Sequence, residues 1–469
     1  MAAILLTVGC TSEQQDASVH AIQNVPLEKL STPIALDDSP SWSRVVWIRD
    51  TGDGTDILGF QDQLILVGRD AQEEGRERII LDTPRSYARP LITPTGQQVV
   101  FSVRTEQAVY VVNWDGSQPT QIAKGFGLAV WQDPATSTEW VYVGTQKTNS
   151  DPPSYRAIRR YRLDRQSKGQ PVWNAQRVSA DNFQLSADGR YAGGLFPWPK
   201  AGIADLENGT WEELGEGCWT SFSNDGRNIL WYFDGLHRNL TMVDPSSEQR
   251  WKVNINGAPE LNGYEVYHPR WTNDPLHLVL TGPYTVGGRE NKIRGGGPQV
   301  EIFVGRFDPT LESVEQWFQI TDNESPDFYP DAWVDPSNRS ASNLRARDMS
   351  AQNNRNLSTL VVRARVKKDA EIPTPSSIAP YRDGLLAIDY EIVEILEGQY
   401  TEPNIVVANW VIREEKILND ATRHKNEIYQ MTLAPFDSHP ELEGQRLILD
   451  TEHLTLPLYF ATKSENNDQ

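Results

Sequence analysis

Between residues 40 and 336 one hydrophobic pattern recurs. An apolar run leads to Ser or Thr, then a tight polar turn, then a second apolar run. The strong copies are "FQLSADGRYAGGLF" from Phe183, "WTSFSNDGRNILWYF" from Trp219, "PLITPTGQQVVFSV" from Pro90 and "HPRWTNDPLHLVLT" from His268. Two of the turns are Asp-Gly-Arg, at 188–190 and 225–227, where glycine accepts positive φ and aspartate caps the turn. Weaker copies begin at Pro40, Ala129 and Tyr329. Further alternating strands follow, most clearly in "AVYVVNWDGSQPTQIAKG" (108–125) and again at 240–254 and 300–321. Four short strands in a unit of about 40 residues is the pattern of a propeller blade, whose faces are buried only against neighbouring blades. Helical periodicity is nearly absent here, which argues against an α/β core.

The predicted fold is therefore all-β, with a roughly six-bladed β-propeller over 40–336. Its units run 40–83, 89–123, 127–178, 182–214, 219–254 and 267–321. The segment 329–336 either closes the ring or starts a seventh blade. The third and sixth units are long, so their connections should project from one rim. Residues 337–357 are polar, rich in Asn and Arg, and aperiodic, as in a linker. Strands resume at 358–366, 385–398, 404–412, 426–433, 445–450 and 456–460, within a C-terminal β domain (358–463) that is a small β-barrel or β-sandwich. In the second of these strands Leu386, Ile388, Tyr390 and Ile392 share one face and the opposite face is more polar.

Composition narrows the function. With 44 Lys and Arg against 64 Asp and Glu, the formal net charge is −20. That balance disfavours nucleic acid and anionic membrane surfaces, which are bound through cationic side chains. No apolar run is long enough to form a spanning helix. Of 15 tryptophans, 14 precede residue 340, placing them in blade packing or on sugar- and base-stacking surfaces. Only Cys10 and Cys218 are present. If Cys10 is modified, Cys218 has no disulfide partner and reads as a small buried apolar residue.

The first ten residues, "MAAILLTVGC", join an apolar segment to Gly9-Cys10, and a polar tether follows at 11–39. This resembles the lipobox of bacterial lipoproteins, although Leu6 stands four residues before the cysteine and a charged leader is missing. The resemblance implies lipidation at Cys10, with the chain anchored in the cell envelope, facing the periplasm or cell surface. Membrane contact would be through that anchor only.

Candidate chemistry is sparse. No G-x-S-x-G, CxxC, HExxH, EF-hand or phosphate-loop signature occurs. His268, in "HPRWTNDP", falls at the inner start of a first strand, near the central channel; as a solvent-facing residue it would carry little packing energy. The loop "TVGGRENKIRGGGPQV" (285–300) brings Arg289, Lys292 and Arg294 into an acidic chain. It either grips a carboxylate or phosphate over the channel mouth or is a hairpin tip with solvated charges.

The S-x-D-G-R-x-I turns resemble those of TolB-type propellers across about residues 40–336. TolB carries an α/β domain ahead of its propeller, and 11–39 is too short for one. That likeness speaks to fold, not to activity. The stretch "HPRWTNDPLHLVLTGP" is similar to the His-Pro stretch of oligogalacturonate lyases, which cleave acidic polysaccharide with a divalent metal. The likeness implies a metal-ligand role for His268, with Arg270, Arg289 and Arg294 as further catalytic candidates. The favoured expectation is an envelope-anchored binding or scaffold protein without a cofactor, gripping a protein segment or glycan through His268, Arg289, Lys292 and Arg294. The alternatives are the metal-dependent polysaccharide lyase and a cytoplasmic hub.

Overall fold

The computed structural model describes residues 42–73, 76–150, 152–180, 183–287, 292–295, 300–337, 359–453 and 456–466. Cys10, the tether, Arg289 and all but the first residue of the 337–357 segment lie outside the described residues.

Six antiparallel sheets, four of four strands and two with a short fifth strand, follow one another around a ring. Their innermost strands are Asp327–Trp333, Tyr87–Ile92, Phe126–Gln132, Phe183–Leu185, Cys218–Phe222 and Glu265–Trp271, for blades one to six. Blade one is built from both ends of the ring. Asp327–Trp333 pairs with Arg44–Asp50, so the segment after the sixth repeat closes the ring and no seventh blade begins. A buried carboxylate seals that join: Asp327 accepts the Trp47 indole N–H at 2.8 Å and two guanidinium N–H groups of Arg49 at 2.8 and 2.9 Å.

The turns and tryptophans do what the repeat requires. Asp188 accepts the Arg190 N–H at 3.0 Å and Asp225 the Arg227 N–H at 3.1 Å, with Gly189 and Gly226 at φ +73° and +84°. Trp131 lies over Gly189 and Trp333 over Gly96, each so close that a Cβ would collide with the indole. Trp231 and Trp271 stack at 4.3 Å between blades five and six. Most of the tryptophan is thus packing. Lys292–Gly295 pairs with Tyr284–Gly287 and extends blade six as a hairpin.

The C-terminal strands Leu360–Val366, Gly384–Glu397, Asn404–Arg413, Leu458–Asn466 and Ile428–Pro435 pair in that order, and the last returns to the first. The third and fifth strands in sequence run parallel. This is a closed five-stranded barrel with the strand order of an OB fold. Leu386, Ile388 and Tyr390 fill its interior, as the alternation suggests. The opposite face differs from expectation: Leu385 and Ala387 are also buried, against Phe436 and Leu442 from the segment that leads into an extra strand, Arg446–Asp450, paired alongside Gly384–Ile388. The far half of Gly384–Glu397 leaves Val393, Ile395 and Leu396 exposed.

Barrel and propeller belong to one compact unit, residues 41–469. Their contact centres on Gly235, in the turn between the second and third strands of blade five. Its N–H donates to Glu443 O at 2.9 Å, and a Cβ there would stand 1.7 Å from Gln445 O. Glu443 accepts from Tyr232 at 3.0 Å and Thr241 at 3.1 Å, and pairs with Lys252 at 3.2 Å. Among the described residues no helix is long and apolar enough to cross a membrane.

Candidate functional site

In four innermost strands the pairing register breaks across two residues: 89–90, 219–220, 268–269 and 329–330. The first residue of each pair is non-glycine at positive φ: Arg89 (+45°), Trp219 (+45°), His268 (+55°) and Tyr329 (+51°). Bulges of this kind re-aim side chains, and here all four line one void of about 20 Å³, room for a single water. In three of the four the second residue is proline: Pro90, Pro269 and Pro330. The His-Pro dipeptide is therefore a blade feature, occupied by Arg-Pro and Tyr-Pro elsewhere in the ring.

His268 differs from the expected solvent-facing residue. It is 3% exposed, stacked on Tyr329 at 3.9 Å and edge-on to Trp219 at 4.8 Å. Thr281 donates its hydroxyl to Tyr267 O at 3.1 Å, so it accepts from His268 Nδ1 at 3.0 Å. Nε2 is left as a bare buried acceptor. Burial, helped by the positive charge of Arg104, holds the imidazole pKa well below the usual range. Arg270 is engaged: it pairs with Asp331 at 2.9 Å, and Asp331 also accepts the Ile92 N–H at 2.8 Å, tying blades six, one and two. These surroundings do not fit a divalent ion. The His268 ring contacts are aromatic, its nearest charge is cationic, and among the described residues no three His, Cys, Asp or Glu side chains gather as a metal site.

Trp219 and Tyr329 also line a far larger space, a cavity of about 1060 Å³ bounded by propeller loops and by Ser377–Tyr381 and Arg446 of the barrel. Blade one contributes a loop wound around Asp56, whose carboxylate accepts the N–H groups of Leu58, Gly59, Phe60 and Gln61 at 2.8–3.2 Å. That cap presents Phe60, 54% exposed, with the Arg104 guanidinium 4.9 Å from its ring and 5.3 Å from that of Tyr329.

At the junction of propeller and barrel the cavity wall is polar. Glu265 accepts from Arg446 at 2.8 Å and from the Tyr267 hydroxyl at 3.0 Å, and lies 3.1 Å from His237 Nδ1. Burial alone would raise its carboxyl pKa, yet Arg446 and His237 hold it down at about 2. The Tyr267 oxygen is also 2.8 Å from Nδ1, and since its own proton goes to Glu265 it accepts there. With the hydrogen on Nδ1, facing Glu265 and Tyr267, Nε2 accepts from the Tyr381 hydroxyl at 3.1 Å; the Arg446 guanidinium, a donor 3.2 Å from Nδ1, works against that tautomer. Cys218 Sγ is 3.1 Å from the same hydroxyl and 3.7 Å from Nε2. Burial pushes its thiol up to about 12 and lowers His237 against the pull of Glu265. Cys218 packs against apolar residues of propeller and barrel, as expected of a small apolar residue, but it is half-buried, lies on the cavity wall and has His237 and Tyr381 beside its sulfur. The sequence expectation passed over this group because two of its members, Tyr381 and Arg446, come from the barrel.

Fold and site together define a six-bladed β-propeller with an open cavity between the propeller and a small OB-type barrel. The chain matches no protein-family model and no curated protein. Among solved structures it is similar to TolB from Acinetobacter baumannii (13% identity, 62% of this chain and 66% of that one, TM-score 0.41). It is also similar to a chain of a nidogen/laminin complex (10%, 62% and 98%, 0.40) and to an oligogalacturonate lyase in complex with manganese (12%, 51% and 59%, 0.29). The chain spans about two thirds of that TolB. The blade count rests on strand pairing alone.

Proposed function

We propose that this chain is a binding protein of the cell envelope, held to the membrane by lipid on Cys10, and that its ligand is a protein segment seated in the axial cavity. The observation that carries the reading is the cavity itself, whose volume of about 1060 Å³ is at the upper end of what ligand sites use. Its wall mixes aliphatic and aromatic side chains, Leu58, Phe60, Val103, Trp219 and Ile378 among them, with few free charges. Apolar side chains of a peptide match such a wall better than a glycan, whose many hydroxyls need polar partners. The barrel supports the same reading by analogy of fold: the connections after its first and fourth strands, which OB folds use for ligands, are the ones that face the cavity.

The test is capture from envelope extracts on immobilised full chain, wild type against Phe60→Glu. Capture that is abolished by Phe60→Glu and by protease treatment of the extract, and that survives periodate, supports a protein segment. Loss on periodate treatment instead makes the ligand a glycan, and capture indifferent to Phe60→Glu moves the site elsewhere.

A further inference from the structure

The cavity wall holds more chemistry than binding needs. Cys218 opens the innermost strand of blade five, His237 sits in the turn between that blade's second and third strands, and Glu265 starts the innermost strand of blade six. The barrel then inserts the Tyr381 hydroxyl, 3.1 Å from both Cys218 Sγ and His237 Nε2. The order thiol, phenol, imidazole, carboxylate is continuous, and in the tautomer with hydrogen on Nδ1, toward Glu265, the imidazole lone pair points to the thiol side. A nucleophile beside a base, with the base oriented by a third group, is the general arrangement for covalent catalysis. The ring of Tyr381 is held edge-on to Trp198 at 5.2 Å, so the hydroxyl is positioned by packing.

We propose that Cys218 is a nucleophile for acyl transfer from an ester or thioester, activated through Tyr381 and His237, with the acyl group entering from the axial cavity. The inference rests on that cavity being the ligand site. Acylation by a small ester does not need the natural ligand, so failure of one reading leaves the other testable.

At neutral pH the groups stand as thiol, neutral imidazole and carboxylate, which is the resting state of a general-base mechanism rather than of a preformed thiolate. On attack, a C–S bond forms while the thiol proton passes to the Tyr381 oxygen and the phenol proton to His237 Nε2. The C–O or C–S bond of the substrate breaks, and the imidazolium returns its proton to the leaving alcohol or thiol. Water then adds to the Cys218 thioester with the same imidazole as base, releasing a carboxylic acid and restoring the thiol. The groups facing His237 are Glu265 and Tyr267 from blade six, Cys218 and Asp234 from blade five, and Tyr381 and Arg446 from the barrel. Burial sets its pKa below the ordinary 6.5, so acylation should fall only in acid and stay level above neutrality.

The experiment uses the full chain carrying Cys10→Ser, so that one thiol remains, and p-nitrophenyl acetate as the probe. The expected result is a stoichiometric burst of nitrophenolate, an acetyl group mapped to Cys218 by mass spectrometry, and a rate that is flat from pH 7 to 9. The rate should drop at least tenfold in Tyr381→Phe, which keeps the ring against Trp198, and in His237→Gln, and vanish in Cys218→Ala. No acetyl group on Cys218 overturns the proposal. So does a rate that climbs tenfold per pH unit to pH 9 and is unchanged in Tyr381→Phe, the behaviour of a buried thiol of high pKa acting alone.

Discussion

Replacing Glu265 by Gln removes the carboxylate that joins Arg446 of the barrel to His237 and Tyr267 of the propeller. Glu265 is 4% exposed and its partners are equally enclosed, so the variant leaves a buried guanidinium without its counter-charge. Two estimates of the cost can be compared. Breaking a buried ion pair by deleting one member costs about 3–5 kcal/mol. Linkage gives a similar figure: a carboxyl pKa held at about 2, against an ordinary 4.5, corresponds to about 3.4 kcal/mol at pH 7. Because the folded pKa is the lower one, that contribution is complete above the unfolded value and is lost as pH falls through the folded value. It should shrink to about 1.4 kcal/mol at pH 3. Urea unfolding of wild type and variant at pH 7 and pH 3 measures both differences. A loss under 1 kcal/mol at pH 7, or the same loss at both pH values, would refute the claim that this pair holds the barrel to the propeller.

Glu301 should behave in the opposite sense. Burial pushes its carboxyl pKa up to about 8, so stability should fall as pH rises from about 4.5 to about 8; Glu301→Gln should remove that slope and gain about 2–4 kcal/mol at pH 9, read from urea midpoints. His268→Ala should cost about 2–4 kcal/mol, since it empties a stacked, buried position, whereas a solvent-facing residue would cost almost nothing. Equilibrium dialysis against manganese should leave the wild-type chain without a stoichiometric ion. Cys10→Ser should move the chain from the membrane fraction to the soluble fraction; an unchanged distribution on fractionation would rule out the lipid anchor.

The architecture was largely legible because each blade must repeat the same local conditions. Apolar alternation, a Ser or Thr and a tight polar turn recur in blade after blade, and residues 329–336 carried enough of that pattern to signal a further inner strand but not whether it closed the ring or opened a seventh blade. The small core of the barrel was equally plain in Leu386, Ile388 and Tyr390. What the chain does not display locally is contact between elements far apart in sequence. His237 and Tyr381 are 144 residues apart, and Glu265 and Arg446 are 181. Only docking of the barrel on Gly235 unites them. One signal was available: aligning the innermost strands on Pro90, Pro269 and Pro330 places Arg89, His268 and Tyr329 in register. That alignment shows His268 to be a ring position before any likeness to a lyase is considered. Matching Ser223 to Thr272 in the repeat likewise sets Cys218 beside Tyr267, each directly before a bulged residue.

The central claim is that the axial cavity between propeller and barrel is where this protein meets its ligand. A photo-crosslinking benzophenone side chain placed at position 60, at the cavity, and separately at position 393, on the exposed barrel ribbon, tests it in living cells. The account predicts a discrete crosslinked partner from position 60 and none from position 393. A partner trapped only from position 393 would contradict it.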